Sequence, residues 1–304
     1  MKVLPDSPLL DVAEVTEIEL LILRRMREYT TGEHAGIFKG SGFDFVGLRD
    51  WAAGDRPSTI EWVQSTFNNF APLVVREFEQ HSTATVMAVA DRSASTRCGI
   101  GGTSLAAGIA RAIATVGFSA VFFQDTFGLM TYDEDFQHLA AVRPRIGKSH
   151  VLHCLDAYQH GIVGSELKRH EDLSLTIGGH LRTACMIPVI SDFLFPEARH
   201  VLQGLSHLNT SHDVFLVVVD GSFAFDLPAS PSGWVDAYDV ETGQSKVISR
   251  GELQHLAQRV RAWQEDIERW GKEEGLDVVR LGSSPEANLT ALLEFVVARR
   301  LRKA

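Results

Sequence analysis

Three stretches of this chain are apolar without a break: Val86-Met87-Ala88-Val89-Ala90, Cys185-Met186-Ile187-Pro188-Val189-Ile190 and Val214-Phe215-Leu216-Val217-Val218-Val219. Each runs into an acidic end, at Asp91, Ser191-Asp192 and Asp220. Runs of this length without polar alternation suit strands covered on both faces, as in a parallel sheet between helices. Helical spacing of Leu10, Val12, Val15, Ile18, Leu21, Ile22 and Met26 predicts a helix over 9–29, packed on the body. Further helices are predicted at about 103–117, opening on Thr103 and Ser104 as caps, then at 148–159, 171–183, 196–208, 251–274 and 285–302. Strands are predicted at 84–91, 119–132, 136–142, 185–191, 213–219 and 278–281.

The alternation implies an α/β fold, Rossmann-like and doubly wound, with a mostly parallel sheet flanked by helices. Two regions depart from it. Residues 31–80 are punctuated by glycine and carry Phe43, Phe45, Trp51 and Trp62, which predicts extended segments and turns, ending in the alternating strand 74–79. Residues 221–250 predict a surface hairpin, with Glu241-Thr242-Gly243 turning between 235–240 and 245–248. The expected organisation is an N-terminal helix with a Gly- and aromatic-rich segment over 1–80, then an α/β domain over 81–304 carrying the hairpin insertion.

Strand order 3-2-1-4-5-6 would place Asp91, ending strand one, and Asp192, ending strand four, on either side of the switch point where such sheets bind ligands. Asp220 would lie one strand further out. After Asp91 the chain reads Asp91-Arg92-Ser93-Ala94-Ser95. One carboxylate and two hydroxyls at alternate positions suit a hard cation such as magnesium, which takes about six oxygen ligands and keeps several waters. Manganese is the alternative. The plainer reading is a strand-to-helix turn in which Ser or Asp caps the next helix.

Charge and composition narrow the function classes. The chain has 304 residues, a formal charge of -10 and 22% charged residues, which argues against a general nucleic-acid binder or an anionic membrane surface as partner. Arg299, Arg300, Arg302 and Lys303 are read as complementing the dipole of the last helix. Three widely spaced cysteines and no Cys-x-x-Cys pair point to a reducing, cytoplasmic setting. No membrane span is expected.

Rival motifs fit poorly. Gly147-Lys148-Ser149 ends like a P-loop, but Val142 stands where its first glycine belongs. Gly99-x-Gly101 has Ser104 in place of the third glycine of a dinucleotide fingerprint. His150, His153 and Cys154 could face one zinc ion or simply share an exposed helix face. Ser93 as a nucleophile has no Gly-x-Ser-x-Gly elbow. Trp51 and Trp62, with Arg49 and Asp55, either line a pocket or staple the N-terminal segment to the domain.

A second set of motifs is more specific: Gly40-Ser41-Gly42-Phe43-Asp44-Phe45, Leu48-Arg49-Asp50-Trp51, Gly54-Asp55 and Ile60-Glu61-Trp62. With Val75-Arg76-Glu77, Asp91-x-Ser93-x-Ser95, Ser191-Asp192 and Asp239-x-Glu241-Thr242-Gly243, the chain resembles the bacterial domain-of-unknown-function 58 (DUF58) family over most of residues 36–300. That resemblance implies a von Willebrand factor A-like fold, a metal-ion-dependent adhesion site and association with MoxR-type AAA+ ATPases, with no established enzymatic activity. Arg56-Pro57-Ser58-Thr59 departs from the family, which has an arginine just before Ile-acid-Trp. Many relatives carry N-terminal membrane helices. The adhesion site's third hydroxyl ligand, a threonine, is missing after the strand at 136–142, where Ser149 is the candidate substitute; Gly102-Thr103 falls too early. The resulting expectation is a non-enzymatic, magnesium-dependent assembly module with metal ligands Asp91, Ser93, Ser95 and Asp192. The alternative is a Mg- or Mn-dependent hydrolase of a phosphate or ester, and a vestigial site is a third reading.

Overall fold

In the computed structural model, the structure describes residues 8–31, 43–53, 55, 57–80, 83–100, 103–133, 139–161, 167, 172–225, 234–238 and 245–302. The sequence motif residues Gly40, Gly42, Gly54 and Arg56, and the Glu241-Thr242-Gly243 turn, lie outside them. A helix α1 (Val12–Thr31) leads to an antiparallel pair, β1 (Phe43–Asp50) and β2 (Val74–Gln80), with the short helix α2 (Trp62–Phe67) between them. Then come β3 (Thr85–Asp91), the small pair β4 (Gly99–Ile100) and β5 (Thr103–Ser104), α3 (Leu105–Phe122), β6 (Thr126–Tyr132), β7 (Ala140–Arg145), α4 (Lys148–His160) and α5 (Leu173–His180). The remainder is β8 (Met186–Ser191), α6 (Ala198–Leu208), β9 (Asp213–Val219), the hairpin β10 (Trp234–Tyr238) and β11 (Ser245–Ser249), α7 (Arg250–Glu273), β12 (Asp277–Leu281) and α8 (Pro285–Arg302).

Six strands form one sheet in the order β12-β9-β8-β3-β6-β7, which is the 3-2-1-4-5-6 order supposed for the sequence above. All neighbours are parallel except the edge strand β7, which runs against β6. The fold is therefore α/β with a mostly parallel sheet flanked by helices.

The uninterrupted apolar runs are explained by the pleat, which sends successive side chains to opposite faces. Val86, Ala88 and Ala90 of β3 and Phe215, Val217 and Val219 of β9 join the core under α1, α3, α4 and α8. Met87, Val89, Val214, Leu216 and Val218 join the core under α5, α6 and α7. Every face is covered, so no position is left for a polar residue until the strand ends.

Two expectations need correction. Residues 119–122, predicted as strand, continue α3, and the chain turns at Phe123 and Gln124, the latter with φ 58. Helix α3 lies between the sheet and other helices and is buried on nearly every side, so its Val121-Phe122-Phe123 end lost the periodic signature that separates helix from strand. The same burial explains why α3 is long and apolar enough to cross a membrane, with mean hydropathy 1.7, while 78% of it is enclosed by this domain. The C-terminal arginines do more than complement a helix dipole. Arg299 pairs with Asp213 and Asp277, and Arg300 pairs with the buried Asp125 at 2.9 Å, tying α8 to the amino ends of the strands.

Gly128 marks a close approach. A Cβ there would meet the Val142 carbonyl and the Pro144 ring at 2.9 Å, where the β6–β7 register shifts.

Candidate functional site

The parallel strands end together: Asp91 pairs with Tyr132, Ala90 with Ile190, and Ser191 with Val218. A rim of polar residues follows directly from buried strands, on both sides of the switch point between β3 and β8. Asp91, Ser191 and Asp192 are at most 2% exposed, and Ser93 is 6% exposed.

Asp91 is well anchored. Its Oδ1 accepts from the Ser93 backbone N–H at 2.9 Å and its Oδ2 from the Ser191 hydroxyl at 2.6 Å. Its backbone carbonyl accepts from the Tyr158 hydroxyl at 2.9 Å, bringing the far end of α4 to the site. The Ser93 and Ser95 hydroxyls lie 3.0 Å apart. A 3-10 turn over Ala94–Arg97, tightened by Thr96 donating to the Ser93 carbonyl at 2.7 Å, holds that loop.

Asp192 differs. Its Oδ1 accepts from the Leu194 backbone N–H at 3.1 Å, but Oδ2 is buried with no hydrogen-bond partner. Burial, and then the charge of Asp91, push the Asp192 carboxyl up to about 7. The phenols of Tyr132 and Tyr158 are raised well above their ordinary range, first by burial and then by Asp91. A buried carboxylate without compensation is costly, and this one feels the charge of a second carboxylate, Asp91.

The structure therefore places Asp91, Ser93 and Ser95 in one loop, and Asp192 at the end of the neighbouring strand within reach of the charge of Asp91. It does not bring Ser149 to them. Because β7 is antiparallel, its Ala140 end faces Thr131 near the rim, whereas its Arg145 end faces Phe127, four residues or roughly 13 Å down the sheet. Helix α4 starts from that lower end after Gly147, at φ 113, and Ser149 is exposed there. Asp220, as expected, is not part of the site: it pairs with Arg280 at 3.3 Å and accepts from the Ser222 N–H at 2.8 Å.

The zinc reading of His150, His153 and Cys154 finds no support. Cys154 is fully buried, its thiol pushed up to about 12 by burial, and among the described residues no three His, Cys, Asp or Glu side chains cluster to hold a metal. A cation at Asp91 and Asp192 would accordingly depend on serine hydroxyls and water for its remaining ligands, the donor set that suits a hard, hydrated ion.

The motif residues nearer the N-terminus form a separate arrangement. Arg49 makes a two-pronged pair with Asp55, at 2.8 and 2.6 Å, and the Ala52 N–H donates to Asp55 at 2.8 Å. These bonds hold the Asp55 carboxyl down at about 2. Glu61 pairs with Arg76, and the Ser65 hydroxyl accepts from the Val74 N–H at 2.9 Å. Trp51 and Trp62 are 41% and 58% exposed, so neither is a buried staple. Ion pairs and Ser65 hold this unit instead.

Sequence reasoning passed over several residues that shape the site. Ser191 stood beside Asp192 but was given no role. Tyr132 and Tyr158 carried no motif. Gln264 is fully buried on α7, and its signal was available: with Leu253, Ala257, Ile267 and Gly271 it falls on the buried stripe of that helix, where a polar side chain needs partners.

Among solved structures, the protein BatB from Bacteroides thetaiotaomicron is 16% identical, with a TM-score of 0.40 over 73% of this chain and 100% of that one. An aerotolerance-related membrane protein from Bacteroides fragilis NCTC 9343 is also 16% identical, with a TM-score of 0.42 over the same shares. The pilus adhesin SpaC from Lactobacillus rhamnosus GG is 9% identical, with a TM-score of 0.39 over 74% of this chain and 31% of that one. No curated protein matches the chain. The model of the family described as protein of unknown function DUF58 matches residues 47–267, and the chain belongs to that family.

Proposed function

We propose that this protein is a non-enzymatic binding module that takes a magnesium ion, or manganese in its place, at the carboxyl end of its sheet and uses it to grip an acidic side chain of a partner. The observation that supports this best is Asp192 Oδ2, buried and without a hydrogen-bond partner beside Asp91. A cation there would offset the charge of the Asp192 carboxylate, whose Oδ2 has no hydrogen-bond partner, and its repulsion with Asp91. Asp192 and the hydroxyls of Ser93 and Ser95 would hold the ion, with Asp91 acting directly or through water. The ion would supply an electrophilic position for a partner's carboxylate.

In this reading the domain over 81–304 does the binding, α1 packs on it through Ile18, Ile22 and Met26, and the partner is a MoxR-like AAA+ ATPase, as family resemblance implies. The setting is cytoplasmic, in keeping with three widely spaced cysteines and no Cys-x-x-Cys pair. The test is co-purification with the co-expressed MoxR-like ATPase of the source cell, in magnesium and in chelator. Magnesium-dependent complex formation lost in Ser93→Ala supports the reading. Turnover of phosphate or ester substrates with magnesium or manganese, lost in Asp91→Ala, would replace it with the hydrolase.

A further inference from the structure

Asp192 and Phe193 are held from behind by two adjacent residues of α7. The buried amide of Gln264 donates from Nε2 to the Asp192 carbonyl at 3.0 Å and to the Val219 carbonyl at 2.8 Å, while its Oε1 accepts from the Gly221 N–H at 3.3 Å. One side chain thus stitches the ends of β8 and β9 to the helix. Next to it, the Trp263 indole N–H donates to the Phe193 carbonyl at 2.8 Å. Phe193 needs such support, because its φ of 55 places a bulky residue in the left-handed region, a conformation that persists only where the surroundings over-determine it.

We propose that Gln264 and Trp263 are positioning residues that hold the Ser191–Leu194 turn so that the Asp192 carboxylate is presented to the site. The inference rests on the metal reading above for its functional consequence, but its structural part stands apart from it. Hydrogen-bonded partners behind a ligand orient it, and losing one costs about 10- to 100-fold in metal affinity. Gln264→Met keeps the length of the side chain and removes all three bonds. Trp263→Phe keeps an aromatic ring against Trp270 and removes one bond. Ile267→Val trims a fully buried neighbour on the same helix and breaks none of these hydrogen bonds, and serves as the control for general loss of packing.

Two measurements on the full chain, made well below the melting temperature of each variant, test this. Amide hydrogen exchange at Phe193 and Leu194, whose N–H groups bond Ser191 Oγ and Asp192 Oδ1, is expected to quicken at least about ten-fold in Gln264→Met. It should quicken by less in Trp263→Phe and stay unchanged in Ile267→Val. The manganese dissociation constant is expected to rise about ten-fold or more in Gln264→Met, by less in Trp263→Phe, and not in Ile267→Val. Unchanged exchange in both Gln264→Met and Trp263→Phe overturns the proposal, and should Gln264→Met fail to fold, Trp263→Phe decides it. Faster exchange with an unchanged manganese constant overturns its functional part. If wild type binds no manganese while exchange responds as expected, the metal reading fails and the positioning role stands.

Discussion

Ser191 donates its hydroxyl to Asp91 Oδ2 at 2.6 Å across neighbouring strands, so the first carboxylate of the pair is fixed by the residue adjacent to the second. The bond is buried, since both residues are at most 2% exposed. Ser191→Ala is expected to destabilise the protein by about 1–3 kcal/mol, the usual cost of withdrawing a donor from a buried charged group. Urea denaturation of the two proteins measures it; a change below about 0.5 kcal/mol contradicts this account of the bond.

Asp192 sets a pH dependence. Its carboxyl titrates at about 7 in the folded protein, against an ordinary value of 3.8, so between these values the folded state binds more protons than the unfolded state. Stability therefore falls as pH rises from about 4 to 7 in metal-free buffer. Asp192→Asn removes that slope and is expected to stabilise the metal-free protein at pH 8 by roughly 2–4 kcal/mol. Thermal melts in chelator across this pH range check it.

How much of this was legible follows from where the information lies. The apolar runs of β3, β8 and β9 marked buried strands with acidic ends, because full burial on both faces imprints directly on sequence; the pairing of Asp91 with Asp192 followed only once the order 3-2-1-4-5-6 was assumed for such a sheet. Ser149 was misplaced because an antiparallel edge strand reverses which end of the next helix reaches the site. Periodicity does not encode strand direction. The roles of Ser191, Tyr158 and Gln264 depend on bonds between residues far apart in sequence, which no local pattern carries.

Ser149→Ala, at the lower end of α4, is accordingly expected to leave manganese affinity and stability unchanged, within about 0.5 kcal/mol for an exposed surface position. A loss of affinity comparable to that in Ser93→Ala would contradict the position of α4.

At the opposite end of the sheet, Arg300 and Asp125 form a buried pair, 9% and 2% exposed. Burial raises the Asp125 carboxyl and the Arg300 hydrogen bond lowers it. Arg300→Met leaves that carboxylate without its guanidinium, with an expected loss of about 3–5 kcal/mol at neutral pH. Part of this should be recovered on acidification, as the carboxyl takes up a proton in the folded state. Denaturant titrations at pH 5 and pH 7.5 measure both effects.

The most direct measurement of the central claim is calorimetric titration of manganese into metal-free wild type and Asp192→Asn at pH 8. The account predicts one saturable site in wild type, weakened at least about ten-fold by the substitution, with both proteins folded. Absence of saturable binding to folded wild type at millimolar manganese, or equal affinity in Asp192→Asn, would contradict it.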